Sequence, residues 1–338
     1  TGVQTCALPI SGEHMASGPI ANLTGLHVAV DGREVPWRRD LVEGYAFVVD
    51  MPAGARSLTA RYDYVVPTGG GAFGATASTS ASIAVINWNT VTLYPMGERP
   101  AAIRVTASLT SPAGWQHGGA LDVASVEGAT IHYAPTSLEM LIDHPVVLGT
   151  HFRTVTLWPA GSAMGEHVLD VVADSDWALR FPEARIEAYK KVVQQSRAVF
   201  GGVGHYRKYH WLLTLSDTLG SYGVEHHESA DDRVAENTFV DDEAAKRSSQ
   251  LLPHEFFHSW NVERIRPRSL EPFNFEDANM SGELWLAEGF TNYYGPLVLQ
   301  RAGLTSVGEF AADMGDAINQ VLTRPGRRVR TAEEMSRF

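Results

Sequence analysis

His254 and His258 lie four positions apart in "LLPHEFFHSW" (residues 251–260), and Glu255 directly follows the first. Four residues on an α-helix advance about 400°, so the two imidazoles point the same way, one turn apart. Two rings so placed can take two corners of a tetrahedral zinc ion. Glu255 projects about 100° round from His254 and can reach a water on such an ion without ligating it. A metal pulls the pKa of its water toward neutrality, and a carboxylate alongside can accept the proton released during attack on a carbonyl. That is the physical content of the His-Glu-x-x-His pattern. Two buried histidines that merely pack would share the spacing, so a third ligand has to decide.

Glu288 fills that role. It sits in "ELWLAEGFTNYYG" amid Leu284, Trp285, Leu286, Phe290, Tyr293 and Tyr294. A carboxylate among so many apolar neighbours is expensive to bury unless paired or bound to metal. Two histidines and one carboxylate leave the fourth position for water, as catalytic zinc requires. Asn292, one turn beyond Glu288, is expected to orient a ligand histidine through its free ring nitrogen.

The elements that must carry these residues follow from pattern. The stretch between residues 20 and 175 is rich in short β-branched and aromatic runs separated by Gly, Pro, Asp or Asn, among them "LHVAVDG", "SLTARYDYVVP", "NTVTLYP", "FRTVTLWPAG" and "EHVLDVVAD". Leu58, Ala60, Tyr62 and Tyr64 alternate onto one face. Such spacing predicts a sandwich or a saddle-like sheet. "PTGGGAFGATAS" (67–78) reads as a loop. From Phe181 the period changes: Ile186, Tyr189, Val192, Val193 and Phe200 share a helical face, with Pro182 at the start and Gly201 at the stop. "YHWLLTLSD" (209–217) reads as a buried strand and "GSYGVEHHESA" as a glycine-bearing edge strand. Helices are expected within 243–262 and 282–302, and after a Ser306/Glu309 capping box. The fold class is therefore α+β: a β-rich N-terminal domain over 18–175, then a catalytic domain over 176–338, with residues 1–17 as a leader outside the fold.

The totals exclude several roles. The chain has 338 residues, 44% of them hydrophobic, enough for two domains. Its formal charge of −12 argues against nucleic acid and anionic membrane surfaces as partners. No apolar run has the length of a membrane span. The one cysteine, Cys6, excludes an intrachain disulfide and a cysteine metal cluster. It falls in "TGVQTCALPI", which resembles a translated sequencing adapter and so carries no expectation about the fold.

"HEFFHSWNVERIRP" together with "ELWLAEGFTNYY" resembles the glycyl-aminopeptidase family of zinc peptidases, bacterial gluzincins that often carry a C-terminal PDZ domain. "IDHPVVLGTHF" (142–152) is similar to the N-terminal domain of that family. The resemblance implies a thermolysin-like catalytic domain, zinc held by His254, His258 and Glu288, and Glu255 as general base. In related aminopeptidases a Gly-x-x-Glu edge strand binds the free α-amino group of the substrate. Gly223, Glu225 and His226 resemble that element, with Glu228 a near alternative. A cationic amine wants a carboxylate, and a fixed distance from amine to zinc selects the first peptide bond. The family also uses a tyrosine well downstream of the third ligand, in a segment this sequence does not contain, so the chain is expected to be part of a longer gene product. The expected function is a zinc-dependent aminopeptidase acting on peptides with small first residues, glycine or alanine. A thermolysin-like endopeptidase, or a zinc- and peptide-binding fragment with little turnover, stands beside it. Relatives often carry export signals, which implies a periplasmic or exported protein, with the cytoplasm as the alternative.

Overall fold

A computed structural model describes residues 2–5, 20–66, 78–202, 204–276 and 279–337. Cys6 and, but for Ser78, the glycine-rich stretch 67–78 lie outside the described residues. The chain is α+β, as its pattern predicts, with strands dominating up to Ala173 and helices thereafter.

The N-terminal part stacks several small antiparallel sheets. Strand Leu23–Val30 pairs with Leu58–Tyr64, in which Leu58, Ala60, Tyr62 and Tyr64 turn inward between exposed neighbours. Val28, Val30 and Val49 make a small core there. "NTVTLYP" departs from expectation: Trp88–Val91 is one helical turn and only Leu93–Pro95 is strand. A larger core gathers Trp88, Tyr94, Ile131, Tyr133, Leu138 and Leu148. Gly2–Thr5 correct the leader expectation, because they form a strand between Ala46–Val49 and Leu93–Pro95. Backbone ladders accept almost any sequence, so composition gave no sign of that pairing.

A five-stranded sheet supports the helices. Its order is His151–Trp158, Glu166–Ala173, Lys208–Leu215, Ser229–Val234 and Tyr222–Glu225, the last lying at an edge. Glu166–Ala173 runs parallel to Lys208–Leu215, which requires a crossover, and helix Glu183–Val199 supplies it. The first two strands therefore belong with the catalytic sheet, and the boundary expected at 175/176 moves to about residue 150. Short β-rich segments look alike in composition whichever sheet they join.

One face of this sheet packs on helix Glu183–Val199 and on the helix Leu251–His258. The other packs on the N-terminal part, where Ile83, Val85 and Val147 meet Val172, Leu212 and Leu219 in one buried cluster. Gly118 allows that approach, since a Cβ there would lie 2.5 Å from the Cβ of Asp170.

Candidate metal centre and substrate edge

The helix Leu251–His258 carries three chemically distinct faces. Leu252 and Phe256 point into the sheet, where the Phe256 ring lies 4.7 Å from Tyr209 and 4.8 Å from Trp211. His254 and His258 point at helix Leu284–Arg301, and Glu255 points at the edge strand. Pro253 does not disturb this, because the helix starts only two residues earlier and an N–H in the first turn has no intrahelical acceptor. Trp260 stacks on Phe200 beneath the helix end, with ring centroids 4.7 Å apart.

The three expected ligands converge. The Nε2 atoms of His254 and His258 are 3.0 Å apart, and Glu288 Oε2 lies 3.4 Å from the first and 3.5 Å from the second. Ligand atoms at tetrahedral corners about 2.0–2.1 Å from zinc would be separated by about 3.3 Å, so the donor set fits that ion. His258 Nδ1 donates to the Asn261 carbonyl at 2.7 Å, which leaves the Nε2 lone pair directed at the cluster. Two such nitrogens at 3.0 Å repel unless a proton or a cation lies between them. The His258 side chain is only 1% exposed, against 21% for His254 and 39% for Glu288, so the cluster opens to solvent on the Glu288 side.

The charge balance makes the same demand. Burial works against protonation of His258, but Glu225, Glu288 and Glu255 together outweigh it and hold its pKa up at about 10. Burial pushes Glu255 well up, with Glu225 adding to the effect. Burial likewise lifts Glu225 to about 7. Burial also opposes ionisation of Glu288, but its contacts with His254 and His258 prevail and hold it below the usual carboxylate range. Three carboxylates thus crowd one ring, an excess of negative potential that a divalent cation would relieve.

Gly223 and Glu225 lie beside this centre. A Cβ on Gly223 would collide with Glu255 Oε1 and lie 2.6 Å from Leu251 Cδ1, so any other residue there would push the Glu255 carboxylate from its place. Glu225 is buried and faces His258. His226 turns away from the centre, and its Nδ1 pairs with Asp143 Oδ1 at 3.2 Å. Glu228 also points elsewhere, toward His144 at 3.7 Å.

The orienting role expected of Asn292 falls to other residues. Asn292 is exposed, while Thr291 is buried with its Oγ1 3.3 Å from His258 Nδ1. The Asn261 side chain donates to the carbonyls of Leu286 and Ala287 and to Thr291 Oγ1. It fixes the turn of helix that presents Glu288. Both Thr291 and Asn292 lie near the Glu288 face by helical spacing, and only tertiary packing separates them. Asp232 was not anticipated at all. It is fully buried on strand Ser229–Val234, opposite Gly223, and neither carboxyl oxygen has a hydrogen-bond partner among the described residues.

In sequence, residues 247–338 match the family model of M61 glycyl aminopeptidase, and residues 4–150 match that of the Peptidase M61 N-terminal domain. No curated protein matches the chain. Its fold is similar to that of an aminopeptidase N family protein from Idiomarina loihiensis, with a TM-score of 0.81 and 17% identity, covering 99% of this chain and 56% of that one. An M1 zinc metallopeptidase from Deinococcus radiodurans aligns with a TM-score of 0.55 and 12% identity over 96% of this chain and 67% of that one. Aminopeptidase A of Legionella pneumophila, in complex with aspartic acid, gives 0.54 and 12% over 89% of this chain and 33% of that one. At such identities the likeness is one of fold, and this chain spans little more than half the length of the Idiomarina protein.

Proposed function

Since the chain belongs to the M61 glycyl aminopeptidase family, we propose that it is a zinc-dependent aminopeptidase holding one ion and cleaving the first peptide bond of peptides. The observation that carries this reading is the convergence of His254, His258 and Glu288 at mutual distances of 3.0–3.5 Å, with Glu255 and Glu225 alongside. Zinc bound there would supply Lewis acidity toward the scissile carbonyl and a lowered pKa for water.

The protein's own groups do the rest. Glu255, pressed against Gly223, accepts a proton from water at the open side of the cluster and returns it to the departing amine. Glu225 receives the positively charged amino terminus of the peptide. The outer side of strand Tyr222–Glu225 offers backbone groups to an extended peptide, as edge strands do. Structures of the Deinococcus protein include one bound to a Tyr-Ser-Ala substrate, which supports a peptide as the ligand class here. The family's name carries the further expectation of glycine as the first residue, and alanine is the next smallest candidate.

The test compares a short peptide with its N-acetylated twin, each with and without a zinc chelator. An aminopeptidase cleaves the free peptide alone and stops on chelation. Equal cleavage of the acetylated peptide would make the protein an endopeptidase, and stoichiometric zinc without any cleavage would make this chain a binding fragment.

A further inference from the structure

The hairpin that follows Glu225 is held from two sides, and one ring lies at the crossing. His227 Nδ1 is 2.7 Å from Asp143 Oδ2 and 3.0 Å from Glu263 Oε2, and its backbone N–H donates to Asp143 Oδ2 at 2.9 Å. Arg266 Nη2 lies 3.0 Å from His227 Nε2. Asp143 comes from the N-terminal part, where it closes helix Leu138–Ile142. Glu263 comes from the turn after the metal-binding helix, and its backbone N–H donates to the His258 carbonyl at 3.0 Å. A path of two hydrogen bonds thus runs from the His227 ring through Glu263 to a metal ligand, while two peptide units connect His227 to Glu225.

These donors could also be read as a second metal site, since Asp143, His227 and Glu263 each offer a ligand atom within 4.8 Å of the others. The proton on His227 argues against it. Nδ1 lies between two carboxylate oxygens, which can only accept, so it carries a proton in either charge state of the ring. No lone pair is left there for a cation.

We propose that His227 is a positioning residue: by tying Asp143 to Glu263 it fixes the separation between Glu225 and the metal-binding pair His254 and His258. This rests on the reading of Glu225 as the amine anchor. Displacement of a bound group by about 1 Å can cost on the order of 10²-fold in rate, so a buried clamp at this point matters. Glu263 is fully buried and Asp143 nearly so, which shields the clamp from solvent.

The experiment measures peptide binding without turnover, in zinc-loaded protein carrying Glu255→Gln. Calorimetry gives the Kd of a short peptide and of its acetylated twin, and the ratio reports recognition of the amine. His227→Ala is expected to reduce that ratio by about tenfold or more, with zinc content and the Kd of the acetylated peptide unchanged. His227→Asn, which keeps a donor near the Nδ1 position, is expected to restore most of it. An unchanged ratio in His227→Ala, an equal loss for both peptides, or a second equivalent of zinc that this substitution removes would each overturn the proposal. Should His227→Ala fail to fold, Asp143→Asn opens the same clamp from the other side and is read by the same ratio. Glu225→Gln separates the two ideas: if it leaves the ratio intact, the anchor reading itself fails.

Discussion

At the scale of single residues, the convergence of His254, His258 and Glu288 is legible in the sequence and its supports are not. His254, His258 and Glu255 announce themselves because helical spacing alone fixes their directions. Glu288 was readable from the cost of leaving a carboxylate among aromatics. Asn261 and Thr291 could not be found that way, because their hydrogen bonds cross between helices and no local spacing encodes them. Glu255→Gln is expected to keep zinc and lower kcat by about 10²–10⁴-fold, whereas His258→Ala should lose both zinc and activity; metal analysis beside a peptide assay checks the pair. Gly223→Ala drives a methyl group into the Glu255 carboxylate, so kcat should fall while zinc content stays, with the same two measurements. Asp232 bears on stability. Burial, then Asp231, raises its pKa well above the ordinary 3.8, so the folded state keeps a proton that the unfolded state releases. Its contribution to stability therefore falls as pH rises past 3.8. Denaturant unfolding of the metal-free protein across pH should lose that part of the slope in Asp232→Asn; an unchanged slope would show the carboxyl to be ordinary.

At the scale of elements, the pattern located the long helices and most of the longer strands but not their partnerships, and it gave no sign of helix Leu138–Ile142 or of strands Ile83–Ile86 and Val146–Gly149. The helix Glu183–Val199 buries Ile186, Tyr189, Val192 and Val193, as its period predicts. The expected helix over 243–262 divides into Asp242–Arg247 and Leu251–His258, which lets Pro253 fall in a first turn. The strands His151–Trp158 and Glu166–Ala173 were readable as strands, yet hydrophobic alternation does not say which sheet a strand will join. Two helices must also meet at a set angle for Glu288 to reach the histidines, and the Asn261 side chain is the bolt between them. Asn261→Ala leaves the three candidate ligands in place but frees the start of helix Leu284–Arg301. Zinc affinity should weaken by about 10–100-fold, measured by competition with a chelator.

At the scale of the whole molecule, the two parts share a core. Ile83, Val85 and Val147 on one side and Val172, Leu212 and Leu219 on the other are buried together, so neither part can unfold without stripping apolar surface from its neighbour. A single calorimetric transition is expected; two well-separated transitions would contradict a shared core. Family membership covers both parts, and it is the N-terminal Asp143 that reaches the hairpin beside Glu225. The edge strand Tyr222–Glu225 has a final consequence. It is four residues long and bonds inward to Ser229–Val234, so alternation leaves only about two of its residues with outward backbone groups. On the proposed reading, a ledge that short would grip the head of a peptide rather than its tail. Tripeptides and long polypeptides with the same first two residues should then be processed with similar efficiency, and substrate length would be policed, if at all, by bulk around the entrance rather than by the grip itself.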